Sequence, residues 1–392
     1  MAFAFIGKSR QLIGGIFFAP LILLRPSTAR PKGSPYICTM EKQIDIRDLT
    51  FEQLQAALVK KGEKAFRAKQ VYEWLWTHSV TDFEEMTSLS KDLREKLATW
   101  FIINAAECSE EQVSSDKTIK CAFEIEKIRV VEGVLIPTKS RMTACISSQV
   151  GCSLACKFCA TGKLKLMKNL QAGEIYDQVA YLSKISQERY NIPLSNIVYM
   201  GMGEPLLNYK NMMSSIDKIT STPGLGMSPK RITVSTAGIA KLIKKLGDDD
   251  VKFNLALSLH AANDVKRSQI MDINDSNNLA SLAEALRYFH EKTKSRVTFE
   301  YIIFKDFNDS LDDARELARF CKNVPCKINI IEYNPIDDGE EFKQASIARV
   351  DAFQEFLESC NLIVNVRRSR GKDIDAACGQ LANKNELAKK AI

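Results

Sequence analysis

Gly151-Cys152-Ser153-Leu154-Ala155-Cys156-Lys157-Phe158-Cys159 places three cysteines within eight positions, with C-x3-C-x2-C spacing. Thiolates are soft ligands suited to iron–sulfur clusters and zinc. A structural zinc site wants a closed set of four ligands, and ferredoxin-type clusters use four cysteines at other spacings. Three thiolates with no fourth nearby suit a four-iron cluster, [4Fe-4S], with one iron left open. An open iron can chelate the amino and carboxylate groups of S-adenosylmethionine and pass it an electron. The competing reading is a zinc loop that borrows a distant ligand such as His260 or Cys378.

A second signal follows Asn196–Met200, which runs into Gly201-Met202-Gly203-Glu204-Pro205. Glycine lets backbone approach a ligand closely, and a carboxylate beyond it can accept from an ammonium group. Ser235, Ser258 with His260, and Asn334 also end strand-like runs. Each alone reads as an ordinary turn or cap residue. Their shared placement is what points to a site.

The elements that must position these residues are legible as periodicity. Strand-like runs occupy 142–149, 196–200, 231–235, 253–259, 297–304 and 327–332. Helical patterns separate them near 173–186, 209–219, 237–246, 278–294, 309–323 and 346–360. Six βα units in series predict a parallel sheet, and eight would close a full barrel. Six predict a partial (β/α)6 barrel with its site at the C-terminal strand ends, open on one side to a large substrate. A last short run, 363–367, leads into a polar tail.

Upstream, residues 40–103 read as a small helical domain. Thr50 and Gln53 form a capping-box pattern, with Phe51, Leu54 and Leu58 at helical spacing. A second helix around 67–78 would bury Val71, Trp74 and Leu75; a third, near 90–100, Leu93 and Leu97. Lys60, Lys61, Lys64, Arg67 and Lys69 make the linking stretch basic, either a solvated face or an RNA contact. Residues 104–137 alternate polar and apolar and predict an antiparallel hairpin linker. The core barrel is assigned to 138–371 and a C-terminal segment to 372–392.

Composition narrows the class further. The 392 residues are 45% hydrophobic and 26% charged, which excludes collagen-like and wholly disordered readings. The net charge of +7 is concentrated at the start: Lys8, Arg10, Arg25, Arg30 and Lys32, with no acid, leave only +2 for the other 352 residues. Bulk charge is therefore weak evidence for nucleic acid. Eleven cysteines, an odd count, argue against a disulfide scaffold and for a reducing compartment. The apolar run 12–24 contains Pro20 and falls short of the about 20 residues that span a bilayer. Residues 1–39 read as a targeting segment or a start placed ahead of Met40, so the expected location is cytoplasmic, or organellar if the segment is a transit peptide.

With CSLACKFCATG, MGMGEPLLN, VSTAG, LSLHA, PCKINIIEYNP and RGKDIDAACGQL in hand, the sequence resembles the radical S-adenosylmethionine superfamily, and within it the RlmN/Cfr group of RNA adenine methyltransferases. The resemblance covers nearly all of residues 41–383. It implies that Cys152, Cys156 and Cys159 hold the cluster, and that Gly203, Glu204, Ser235, Ser258, Leu259, His260 and Asn334 contact the cofactor. It also implies catalytic roles for Cys378, Cys145 and Glu132. A first S-adenosylmethionine methylates Cys378, and a second, the other of two per turnover, yields the radical that takes a hydrogen from that methyl. The carbon then adds to the base, Glu132 assists proton removal, and Cys145 releases the product through a transient disulfide. Read without the family, Cys145 is a small core hydrophobe, Cys378 an idle thiol and Glu132 a surface charge. Cys38, Cys108, Cys121, Cys321, Cys326 and Cys360 keep such ordinary readings.

The expected activity is methylation of adenine C2 in 23S rRNA and tRNA. Expected partners are those RNAs and an electron donor such as flavodoxin or ferredoxin, with no membrane and a monomeric chain. The rivals are methylation at adenine C8 and a non-catalytic, metal-stabilised RNA-binding module.

Overall fold

The computed structural model describes residues 43–337 and 341–384, which belong to one compact unit. The expected extension 1–39 lies outside the described residues, as do 40–42 and 385–392. Among the described residues no helix is long and apolar enough to cross a membrane.

Three helices open the chain: α1 (Phe51–Lys60), α2 (Arg67–Trp76) and α3 (Lys91–Trp100). The predicted capping box forms, with Thr50 Oγ accepting from Gln53 N at 3.2 Å and Gln53 Oε1 accepting from Thr50 N at 2.9 Å. On α2 the buried face is Val71, Tyr72, Leu75 and Trp76, one position round from the predicted one. Trp74 instead sits half-buried, with its indole N–H donating to Ser88 Oγ at 2.8 Å.

Residues 104–137 are more than a linking hairpin. Three antiparallel strands, β1 (Glu107–Val113), β2 (Ile119–Ile125) and β3 (Arg129–Pro137), form a meander. β3 then pairs antiparallel with the first barrel strand, β4 (Met142–Cys145), in the register Val134↔Cys145. The meander therefore extends the barrel sheet, a partnership that a local reading of alternation does not reveal.

From β4 the parallel strands follow in sequence order: β5 (Asn196–Tyr199), β6 (Ile232–Thr236), β7 (Asn254–Ser258), β8 (Val297–Ile303), β9 (Cys326–Glu332) and β10 (Val364–Arg367). Their crossovers are α4 (Ala172–Tyr190), α5 (Tyr209–Thr220), α6 (Ala240–Asp248), the pair α7 (Asp264–Ile270) and α8 (Leu279–Thr293), α9 (Leu311–Cys321) and α10 (Ile347–Ser359). Six βα units plus a seventh strand make a partial barrel whose end strands do not pair with each other. Strand β8 is buried along its whole length, as a parallel strand covered on both faces should be.

Two local features depart from the periodicity. The ladder of β4 stops at Cys145, four residues before the predicted end, because a side chain takes over its backbone bonds. Gln178 Oε1 accepts from Ser147 N at 2.9 Å, and Gln178 Nε2 donates to Ser147 O at 3.1 Å. Helix α7, capped by Asn263, is an additional element in a polar stretch too short to display a period.

The helical region docks through a buried ion pair. Arg47 donates to Asp177 Oδ1 on α4 at 2.7 Å and to Asn104 O at 2.6 Å, while Asp177 Oδ2 accepts from Ala106 N at 2.8 Å. Gly173 permits the approach, since a Cβ there would stand 2.6 Å from Arg47 Cζ.

Candidate active site at the barrel mouth

The cysteine loop leaves the first barrel strand and is braced from two sides, by the end of α7 and by the C-terminal arm. Lys157 N donates to Ile270 O at the end of α7 (3.1 Å), Ala160 N to Gly379 O (2.7 Å), and Thr161 Oγ to Leu381 O (2.6 Å). Cys152, Cys156 and Cys159 line one open cavity of about 900 Å³, together with Gly203, Glu204, Ser235, Ser258 and His260. These come from separate strand ends. The Ser235 and Ser258 hydroxyls, on adjacent strands, stand 3.3 Å apart.

Burial raises all three loop thiols: Cys152 to about 11, Cys156 well above its ordinary value, and Cys159 upward. For Cys156 the neighbouring Cys159 and Cys152 add like-charge repulsion, partly relieved by Arg267. Without a bound cation these sulfurs therefore stay protonated at neutral pH, and loading a cluster must release protons. Amide groups of Leu154 and Ser153 face the Cys152 sulfur, and those of Gly162 and Thr161 face Cys159, the kind of contact that tunes a bound cluster. The loop thiols are also not gathered as a mononuclear ion requires. Among the described residues, the trio of ligand atoms all within 4.8 Å of one another is Cys108, Glu111 and Cys121. A wider triangle fits a multi-iron cluster better than one zinc with Zn–S bonds of about 2.3 Å.

The residues expected against the cofactor divide into two groups. Gly203 has φ +94°, and a Cβ there would lie 2.5 Å from Gln149 Cβ, so the turn admits only glycine without displacement. Glu204 is buried and pushed up to about 7 by that burial; its oxygens accept from Ala237 N at 2.7 Å and Leu206 N at 3.0 Å. It ties strand ends as well as facing the cavity. His260 is held neutral, pushed down to about 3 by burial and by Arg267. Its Nδ1 accepts from Ile302 N at 3.0 Å, which puts the ring proton on Nε2. Asn334, expected against the cofactor, lines neither cavity; its Oδ1 is buried without a donor, while its Nδ2 donates to Cys378 O at 3.1 Å. Leu259 is fully buried, with its backbone N bonded to Glu300 O, and it lines neither cavity described here.

Cys145 and Cys378, 233 positions apart in the chain, line a second cavity of about 790 Å³ that shares Cys159 and Arg367 with the first. Cys378 is exposed to this space and Cys145 buried at its wall. Both thiols are raised mainly by the surrounding protein, Cys145 to about 12, and both are pulled back by the positive charge of Arg367. Cys378 rides on an arm crossing the mouth. Asp116 Oδ2 accepts from Gly371 N (3.1 Å), and Asp373 accepts from Ser114 Oγ (2.6 Å) and Ser115 N (2.9 Å).

Glu132 is not brought to either cavity. It is buried, 3.5 Å from Lys120 Nζ, and its Oε2 accepts from the arm amides of Ala382 (2.9 Å) and Asn383 (3.1 Å). Three residues that sequence reasoning missed stand at the mouth or brace it. Arg367 pairs with Glu300 at 3.4 Å, and the buried Arg267 donates to Ala237 O, Leu259 O and Asn274 Oδ1. Glu300 left one trace, a charge amid the apolar run Val297–Ile303; the two arginines left none.

Comparison with known proteins agrees with this architecture. Residues 44–103 match the family described as the ribosomal RNA large subunit methyltransferase N-terminal domain, and residues 146–321 match the radical SAM superfamily. A protein of Christiangramia forsetii named "Probable dual-specificity RNA methyltransferase RlmN" is 57% identical over 351 residues, covering 89% of this chain and 99% of the relative. The "Dual-specificity RNA methyltransferase RlmN" of Campylobacter concisus is 39% identical over 358 residues, 88% of this chain and 92% of the relative. The crystal structure of a radical SAM methyltransferase from Sphaerobacter thermophilus superposes with a TM-score of 0.82 at 37% identity, covering 86% of this chain and 99% of that one.

Proposed function

Because this chain belongs to the RlmN family of dual-specificity radical SAM RNA methyltransferases, we propose that it methylates C2 of adenine in 23S rRNA and in tRNA through a cysteine-bound methyl. The chain is an enzyme rather than a metal-stabilised binding module. The observation that carries the mechanism is the shared cavity of Cys145 and Cys378, joined to the cysteine-loop cavity through Cys159 and Arg367.

Cys152, Cys156 and Cys159 would hold a four-iron cluster, which when bound would supply one-electron reduction of S-adenosylmethionine. Gly203, Glu204, Ser235, Ser258, His260 and Asn334 orient that molecule, and Leu259 sets the strand end beneath it. Adenine C2 is electron-poor, so an electrophilic methyl does not reach it by simple displacement. Cys378 therefore takes the methyl first, as a thiolate, and presents its carbon to C2 after a hydrogen has been removed. Two S-adenosylmethionine molecules are consumed in each turnover. The Cys145 sulfur then attacks the Cys378 sulfur, so that the S–S bond forms as the S–CH2 bond breaks and the released carbon is protonated to the methyl. The adduct's surplus proton goes to a base and its surplus electron to a one-electron acceptor, and an external thiol reductant reopens the disulfide before the next turnover. Glu132 can take the substrate proton only when the arm's end releases its carboxylate. The exposed Lys60, Lys61, Lys64 and Lys69, with exposed Phe66 among them, give residues 43–103 an RNA-facing surface. The working chain is a monomer in a reducing compartment such as the cytoplasm, supplied with electrons by a flavodoxin- or ferredoxin-type donor.

The test compares two variants after anaerobic reconstitution. Cys378→Ala should form neither methylated protein nor modified RNA. Cys145→Ala should acquire the methyl, attack the base and stall as a protein–RNA adduct visible on a denaturing gel with labelled RNA. Mass spectrometry of nucleosides from wild-type reactions should give 2-methyladenosine. 8-Methyladenosine, or normal release of product by Cys145→Ala, would overturn the reading.

A further inference from the structure

Away from the mouth, strands β1 and β2 bring together a donor set that the reaction does not use. Glu111 lies opposite Cys121 in the register, and a bulge between Cys108 and Glu110 shifts the strand so that Cys108 joins them. The two sulfurs and a Glu111 oxygen all lie within 4.8 Å of one another, with Cys121 buried and the other two half-buried. Helix α4 supplies an outer layer. Tyr181 donates its hydroxyl to Glu111 Oε1 at 2.6 Å, and Arg189 forms an ion pair with Glu111 Oε2.

We propose that Cys108, Cys121 and Glu111 form a second metal site, for one zinc ion, independent of the cysteine loop. Two thiolates and a carboxylate are a borderline-soft set matched to zinc, and the fourth, open position falls to water or the Tyr181 hydroxyl. Charge closes as well: the three ligand charges are balanced by the dication and Arg189. Tyr181 and Arg189 hold the carboxylate in place, as outer partners of metal ligands do. The ion would clamp β1 to β2 on the meander whose β1–β2 turn, through Ser114 and Asp116, and whose third strand, through Glu132, grip the Cys378 arm.

The test uses the holoenzyme with its iron–sulfur cluster in place, equilibrated with zinc and then dialysed. Wild type should retain about one zinc per chain, with an absorption-edge fine structure showing two sulfurs at about 2.3 Å and lighter ligands at about 2.0 Å. Cys108→Ser/Cys121→Ser should lose that zinc and keep its iron, which also reports that it has folded. Tyr181→Phe leaves all three ligands and should weaken zinc binding by about 10–100-fold. The proposal is overturned if wild type retains no zinc, if zinc persists in the double variant, or if the zinc shows three sulfurs, the signature of the cysteine loop.

Discussion

Arg367 stands on the wall common to both cavities, paired with Glu300 and close enough to Cys145 and Cys378 to favour their thiolates. The thiolate is the nucleophile, and desolvation by the surrounding protein pushes both thiols up, so the reactive fraction grows as pH rises. Removing the guanidinium takes away the opposing influence and moves that limb further up. Arg367→Gln should therefore slow methyl incorporation into Cys378 at pH 7 by about tenfold for each unit of pKa gained, with recovery at higher pH. Arg367→Lys should restore much of the rate. Labelled methyl uptake by the protein across pH checks both, and a pH-independent loss would refute the electrostatic role. The contrast with the cysteine loop explains what a sequence displays. Three thiols in eight positions announce themselves by local spacing, whereas Arg367 and Glu300 gain meaning only through adjacency across strands.

Among the elements, the arm that carries Cys378 is held by side chains instead of a ladder. Asp373, lowered to about 2 by its bonds to Ser114 and Ser115, is one fastening. Asp373→Ala should leave iron content intact, increase protease cleavage within residues 371–384 and lower methylation of Cys378; limited proteolysis beside an iron assay reads this directly. Helices with a local signature, such as α1 with its capping box and α8 with its apolar face, were legible in advance, as were the six βα units. The meander was not, because its defining partner, β4, is recognised by register rather than by alternation. The early end of β4 was hidden for a similar reason: Gln178, 31 positions further along the chain, satisfies the backbone of Ser147.

At the scale of the molecule, the helical region and the barrel form one body, joined through Arg47 and Asp177, which are 5% and 6% exposed. Burial raises the Asp177 carboxyl more than Arg47 lowers it, so the aspartate depends on its partner. Arg47→Ala leaves a buried carboxylate uncompensated, a change that typically costs about 3–5 kcal/mol. Chemical denaturation followed by tryptophan fluorescence should show that loss, because Trp76 packs on Tyr176, the neighbour of Asp177, with ring centroids 5.1 Å apart. An unchanged midpoint would mean that the interface is held by its apolar contacts alone.

The bonds from Ala160 and Thr161 to Gly379 and Leu381 have a consequence for how this enzyme fails. In the proposed mechanism the residues that follow Cys159, the last of the proposed cluster ligands, are also the seat of the proposed methyl carrier, Cys378. Oxygen damage that unravels the loop loosens that seat in the same event. On that mechanism a molecule injured at the loop would lose radical formation and methyl transfer together, instead of continuing to consume methyl donor.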